Sequence, residues 1–124
     1  YDPGQAYGQS KLANALFSLE LADRLDGTTT TSNVLRPGVI PTTLGRHMPF
    51  WKPLLLKTVG KVFTKTIPQG AATTCYVASS PIIAGVSGKF FEDSNPIVAG
   101  GHTEDRDMAK KLWSVSEELT AGYL

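Results

Sequence analysis

Cysteine is nearly absent from this sequence: Cys75 stands alone, which excludes a disulfide framework and any multi-cysteine zinc site. A lone thiol fits a reducing compartment, so a cytoplasmic setting, either free or associated with a membrane, is the expectation. Long apolar runs are missing too. No stretch suffices to span a bilayer, and the start shows no signal-peptide pattern. An excess of one charge is also lacking. Twelve Lys/Arg against eleven Asp/Glu leave a formal net charge of +1, without the basic surplus that a nucleic-acid footprint needs. With 41% hydrophobic and 19% charged residues over 124 positions, the chain suits one folded domain rather than a disordered tail. The most specific absence is local. Between Gly27 and Phe91 there is no Asp or Glu, while Arg36, Arg46, Lys52, Lys57, Lys61, Lys65 and Lys89 all fall there.

What is present alternates between helical and extended patterns. Leu12, Leu16, Leu19, Ala22 and Leu25 recur at helical spacing and predict a helix over residues 6–26, with Gly27 placed for a left-handed cap. The β-branched run 29–36 predicts a strand that Pro37-Gly38 ends, and residues 37–50 read as irregular loop. A second helical pattern covers residues 53–64. Thr66 is then an N-cap candidate and Pro68 lies near the first turn of a helix over 69–79. Gly85 and Gly88 bracket a turn before a short strand in Lys89-Phe90-Phe91. Thr103 could cap a last helix with Glu104, Asp105 and Asp107 in its first turn and a stripe of Met108, Leu112, Val115 and Leu119. This order predicts α/β layers with two strands and about four helices. A covered parallel sheet needs more strands than that, so the chain is expected to be one end of a larger sheet.

Several motifs fail on their own chemistry. Gly85-Val86-Ser87-Gly88-Lys89-Phe90 is no phosphate loop, because Ile83 and Phe90 stand where a Gly and a magnesium-binding hydroxyl are needed. His102-Thr103-Glu104 lacks the paired cysteines of a zinc deaminase, and neither G-x-S-x-G nor H-E-x-x-H occurs. No metal site is expected. Lys57, Lys61 and Lys65 form a basic stripe. Such a stripe suits an anionic membrane surface or simply a solvated helix face.

The residues that can carry chemistry are Tyr7 and Lys11, in Tyr7-Gly8-Gln9-Ser10-Lys11. Four residues apart on a helix, a phenol and an ammonium leave the same face with Cβ atoms about 5–6 Å apart. A cation beside a phenol favours the phenolate, and a tyrosine tuned so can exchange a proton with a carbonyl or alcohol oxygen. The pair lies on the first predicted helix, and a strand follows it directly. Next come the turn Arg36-Pro37-Gly38-Val39-Ile40-Pro41-Thr42 and, later, a strand in Gly88-Lys89-Phe90-Phe91-Glu92-Asp93. In this order, over nearly the whole chain, the sequence resembles the C-terminal half of a short-chain dehydrogenase/reductase. It is most similar to the branch of retinol dehydrogenases and WW-domain oxidoreductases.

The resemblance implies the C-terminal part of a Rossmann-like doubly wound parallel sheet, with residues 1–124 as the catalytic and substrate-binding half of a single domain. The dinucleotide-binding half would lie outside the chain. It also implies hydride transfer between NAD or NADP and an alcohol or carbonyl. Tyr7 would be the acid/base, and Lys11 would tune it and bind the nicotinamide ribose. Pro37 and Gly38 would shape the turn beside the nicotinamide, Val39 and Ile40 would offer backbone groups to its carboxamide, and Thr42 would contact the carboxamide or diphosphate. Residues 44–66 match the substrate lid, whose Phe50, Trp51, Leu54, Leu55 and Leu56 suit a lipophilic substrate. A homodimer through the Tyr-Lys helix is implied, with Phe17 and Leu21 as candidates for its face. The family's glycine-rich fingerprint is not among these residues, and only six residues precede Tyr7, too few to include its catalytic serine. The chain is therefore expected to be a fragment, inactive alone. The alternative is a non-catalytic half-domain that binds a partner or membrane surface through residues 52–65.

Overall fold

In a computed structural model, residues 1–38 and 65–123 are described. The first helix, α1, spans Pro3–Arg24. It begins earlier than the apolar period predicts because Asp2 caps it, its side chain accepting from the amides of Gly4 and Gln5 at 2.7 and 3.2 Å. Pro3 follows at a position that needs no amide hydrogen. Gly27 has φ +78, as the sequence predicts.

The strand after it is shorter than expected. Only Val34–Arg36 forms β1. Upstream, side chains take over the backbone pairing: the Thr28 hydroxyl donates to the Leu25 carbonyl, and Ser32 donates its amide to the Ser87 hydroxyl at 3.1 Å. Such local hydroxyl bonds compete with ladder formation despite favourable β propensity. Asn33 completes the approach, donating to the Val86 carbonyl at 2.7 Å and accepting from the Lys89 amide at 3.0 Å.

Helix α2 spans Ile67–Ser79, opened by a reciprocal box between Thr66 and Gln69 with Pro68 in its first turn. A 3-10 turn at Pro81–Ile83 leads to β2, Phe90–Glu92. β2 is parallel to β1, with Leu35 opposite Phe91 and Arg36 opposite Glu92. A third strand, β3 (Asn95–Ile97), pairs antiparallel with β2. The two expected strands are parallel neighbours, and β3 adds a third that the sequence does not predict, so the described sheet is mixed, in the order β1-β2-β3. Pro96 hides β3 in the sequence, yet an edge strand tolerates a proline. The last helix, α3, spans Arg106–Thr120 and is capped by Asp105, which accepts from the Met108 amide at 2.9 Å. Thr103 is not the cap; its hydroxyl donates to the Gly100 carbonyl. The expected helix over 53–64 lies outside the described residues.

The core lies between α1 and α3 and under the sheet. Leu16, Leu19 and Ala109 are buried together, with Leu12 and Leu112 packed against them. Phe91, at 0% exposure, is the anchor of the central strand and lies 6.4 Å from the Tyr76 ring. Phe17 stacks on Trp113 at 5.1 Å, and Arg24 covers the Trp113 ring at 4.4 Å, which ties α3 to α1 by its rim. The predicted stripe on α3 is only partly covered, since Val115 and Leu119 stay exposed. No helix among the described residues is long and apolar enough to cross a membrane.

Candidate active site

Tyr7 and Lys11 share one solvent-facing side of α1. The phenol is 59% exposed, and the Lys11 ammonium lies 5.3 Å from the centroid of its ring. The Ser10 hydroxyl is turned back to the Tyr7 carbonyl at 2.7 Å and so is committed to the helix backbone.

The direction of α1 decides which end of the sheet these groups face. Ala22 lies 3.5 Å from where a Cβ on Gly88 would stand, and Ser18 bonds Ser32 at 2.8 Å; both contacts are at the amino ends of the strands. One turn nearer the helix start, Ala15 lines a small cavity with Val34 and Phe90. The helix therefore runs antiparallel to β1 and β2. From Ser18 to Tyr7 it rises about 16 Å at the helical pitch. From Ser32 to Gly38 the extended chain covers about 20 Å. Tyr7, Lys11 and the Pro37-Gly38 turn thus point toward the carboxyl end of the parallel pair, where ligands of open α/β sheets bind.

That end carries a charged cluster. Arg36 donates from Nε to Glu92 at 2.9 Å across the β1–β2 ladder, and its second nitrogen reaches the other carboxylate oxygen. The hydrogen bonds from Arg36 hold the Glu92 carboxyl below its ordinary pKa, and the Glu92 carboxylate raises that of Arg36. Lys65 pairs with Asp93. Asp93 and Ser94 form the hairpin turn at φ +51 and +61, conformations that glycine normally supplies. Buried Thr73 of α2 accepts the Ser94 amide at 3.2 Å and fixes the hairpin from behind. The sequence places Lys65 only in a basic stripe and gives no sign of its pairing with Asp93 beyond the fact that Glu92 and Asp93 are the first acids after the acid-free stretch.

Of the expected site residues, Tyr7, Lys11, Pro37 and Gly38 are described; Val39, Ile40 and Thr42 lie outside the described residues, as does the lid segment up to residue 64. Phe17 and Leu21, expected at a pairing face, are placed differently from each other. Phe17 is half-exposed but spends one ring face on the chain's own Trp113, and Leu21 is partly buried.

The chain is 46% identical over 123 residues to human retinol dehydrogenase 14, a match that takes in 96% of the chain and 36% of that protein. It is 45% identical to the chloroplastic short-chain dehydrogenase TIC 32 B of Brassica napus, over 96% of the chain and 38% of the relative. These relatives are members of the short-chain dehydrogenase/reductase superfamily, and the chain is similar to them over nearly its whole length. Mouse polyprenol dehydrogenase is 37% identical over 97% of the chain and 36% of its own length. The chain thus spans little more than a third of the length of these curated relatives. No protein-family model matches it.

Proposed function

We propose that the protein carrying this chain is an NAD(P)-dependent oxidoreductase that interconverts a lipophilic alcohol and its carbonyl. The observation behind the proposal is the Tyr7–Lys11 pair: a half-exposed phenol with an ammonium beside its ring, aimed at the carboxyl end of the parallel strands. The substrate class draws support from two relatives named for retinol and polyprenol, both alcohols with long hydrocarbon parts.

The donor set present fits one half of a nicotinamide dinucleotide. A phenol and an ammonium on one open face suit the ribose hydroxyls and a reacting oxygen. The first turns of α1, α2 and α3 each give one or two amides to their own caps, at Asp2, Thr66 and Asp105, so none of these helices presents a fully open N-terminus to the pyrophosphate. When bound, the nicotinamide supplies the hydride donor or acceptor. The chain's own residues handle the proton. Tyr7 Oη takes it from the alcohol oxygen in oxidation or gives it to the carbonyl oxygen in reduction. Lys11 keeps a positive charge near the oxygen on which negative charge develops. Pro37 and Gly38 set the course of the backbone that borders this space.

Replacing Tyr7 with Phe keeps the ring and removes the proton carrier. Turnover of a long-chain alcohol should fall about 100- to 10,000-fold, with cofactor binding little changed. Lys11→Ala should weaken cofactor binding as well as turnover. Retention of more than about a tenth of turnover in Tyr7→Phe, a loss smaller than general acid/base removal gives, would refute the assignment.

The alternative, a non-catalytic module acting through residues 52–65, has only Lys65 among the described residues. That lysine is engaged with Asp93.

A further inference from the structure

Gly38 has φ +85, and a Cβ built on it would stand 2.8 Å from Lys65 Cδ and 2.9 Å from both Cε and Nζ. A side chain at this position would have to push the end of the Lys65 side chain aside. A glycine that serves close approach of a bound ligand leaves its Cβ position open to that ligand. At Gly38 the space is filled from within the chain, by the stem of Lys65. The Lys65 side chain is only 25% exposed, and its ammonium is held by Asp93 on the hairpin. Asp93 is fixed in turn: its neighbour Glu92 pairs with Arg36, and the next residue, Ser94, is bonded to Thr73. A long apolar stem laid over backbone with its charge tied down is how lysine covers a surface without desolvating the ammonium. Surface ion pairs contribute only about 0–1 kcal/mol to stability, so the consequence of this contact is positional.

We propose that Lys65, anchored by Asp93, is a positioning residue that fixes the Pro37-Gly38 turn against the β2–β3 hairpin. Its role in catalysis rests on the reading of that turn and Tyr7 as one site. The contact itself does not.

Two measurements on the intact protein separate these levels. Hydrogen–deuterium exchange compares the parent with Lys65→Ala, Asp93→Asn and Lys65→Arg. Lys65→Ala and Asp93→Asn should speed exchange about tenfold in peptides covering Arg36–Gly38 and the hairpin turn, without change in α3, since local opening is confined to the units that lose their contacts. Lys65→Arg, which keeps the pair with Asp93, should restore most of the protection. Exchange in Lys65→Ala within about twofold of the parent would overturn the proposal whatever the protein catalyses. The second measurement is kinetic. A small displacement of a site-bordering segment costs up to about 100-fold, so kcat/KM should fall roughly 10- to 100-fold in Lys65→Ala and recover in Lys65→Arg. Faster exchange with unchanged kcat/KM and unchanged NADH or NADPH affinity would overturn the positioning role. Should Tyr7→Phe leave turnover intact, the dehydrogenase reading fails while the exchange result still decides the contact.

Discussion

Gly38 and Gly27 make a matched pair for testing what a single residue contributes. Both have positive φ, +85 and +78, but a Cβ on Gly27 would meet nothing within 4 Å. Gly27→Ala should therefore cost only the conformational strain, about 1 kcal/mol. Gly38→Ala also has to displace the end of the Lys65 side chain from its pair with Asp93 and should cost up to about 1 kcal/mol more. Urea unfolding of both variants measures the difference, and equal costs would mean that the Lys65 contact exerts no constraint. At this scale the Tyr7–Lys11 pair was legible because helical spacing alone puts both on one face. The Lys65–Asp93 pair was not, since 28 residues separate the partners and only the tertiary fold brings them together.

Element ends show where sequence patterns stop being sufficient. The apolar period of α1 is visible from Leu12 to Leu25, but the helix start is set by Asp2 and Pro3, which carry no apolar signal. At α3 the sequence points to Thr103 as the cap with Asp105 in the first turn, whereas Asp105 itself is the cap, two residues further on. Asp105→Ala should destabilise the protein by about 1 kcal/mol, the usual value of an N-cap. Thr103→Ala removes one exposed hydroxyl bond and should cost less than half as much. Thermal unfolding ranks the two, and the reverse order would return the cap to Thr103. β3 has no sequence signal for two reasons: its centre is Pro96, and its turn is Asp93-Ser94 rather than a glycine-containing pair. The strand pattern over 29–36 overruns β1 because the Thr28 hydroxyl and the Thr30 and Ser32 amides take hydroxyl or local partners that propensity does not count.

Over the whole molecule, the separation of acids from bases along the chain becomes a pattern of long-range closure. Arg36 and Lys65 come from the acid-free stretch, and they meet the first two acids beyond it, Glu92 and Asp93, at the carboxyl end of the sheet. The α/β class and the order of the helices and the first two strands are readable from periodicity, while the parallel pairing of those strands is what the family resemblance implies. This closure is not readable, because charge order along a sequence gives no register. Its pH dependence is nevertheless fixed in sign. Hydrogen bonding to Arg36 lowers the folded pKa of Glu92 below its unfolded value, so the unfolded chain binds the proton more readily. The stabilisation is therefore complete above the ordinary glutamate value of about 4.3 and is lost as pH falls through the lower, folded value. Arg36 is shifted upward and stays charged throughout this window. Comparing unfolding free energies of the parent and Glu92→Gln at pH 7, 5 and 3 should show the parent's advantage shrinking only in the acid range. Raising salt to about 1 M at pH 7 should reduce the same advantage, because the pair is at the surface and open to screening. A difference that stays constant from pH 7 to pH 3 would mean that the Arg36–Glu92 bond does not close the sheet end in solution.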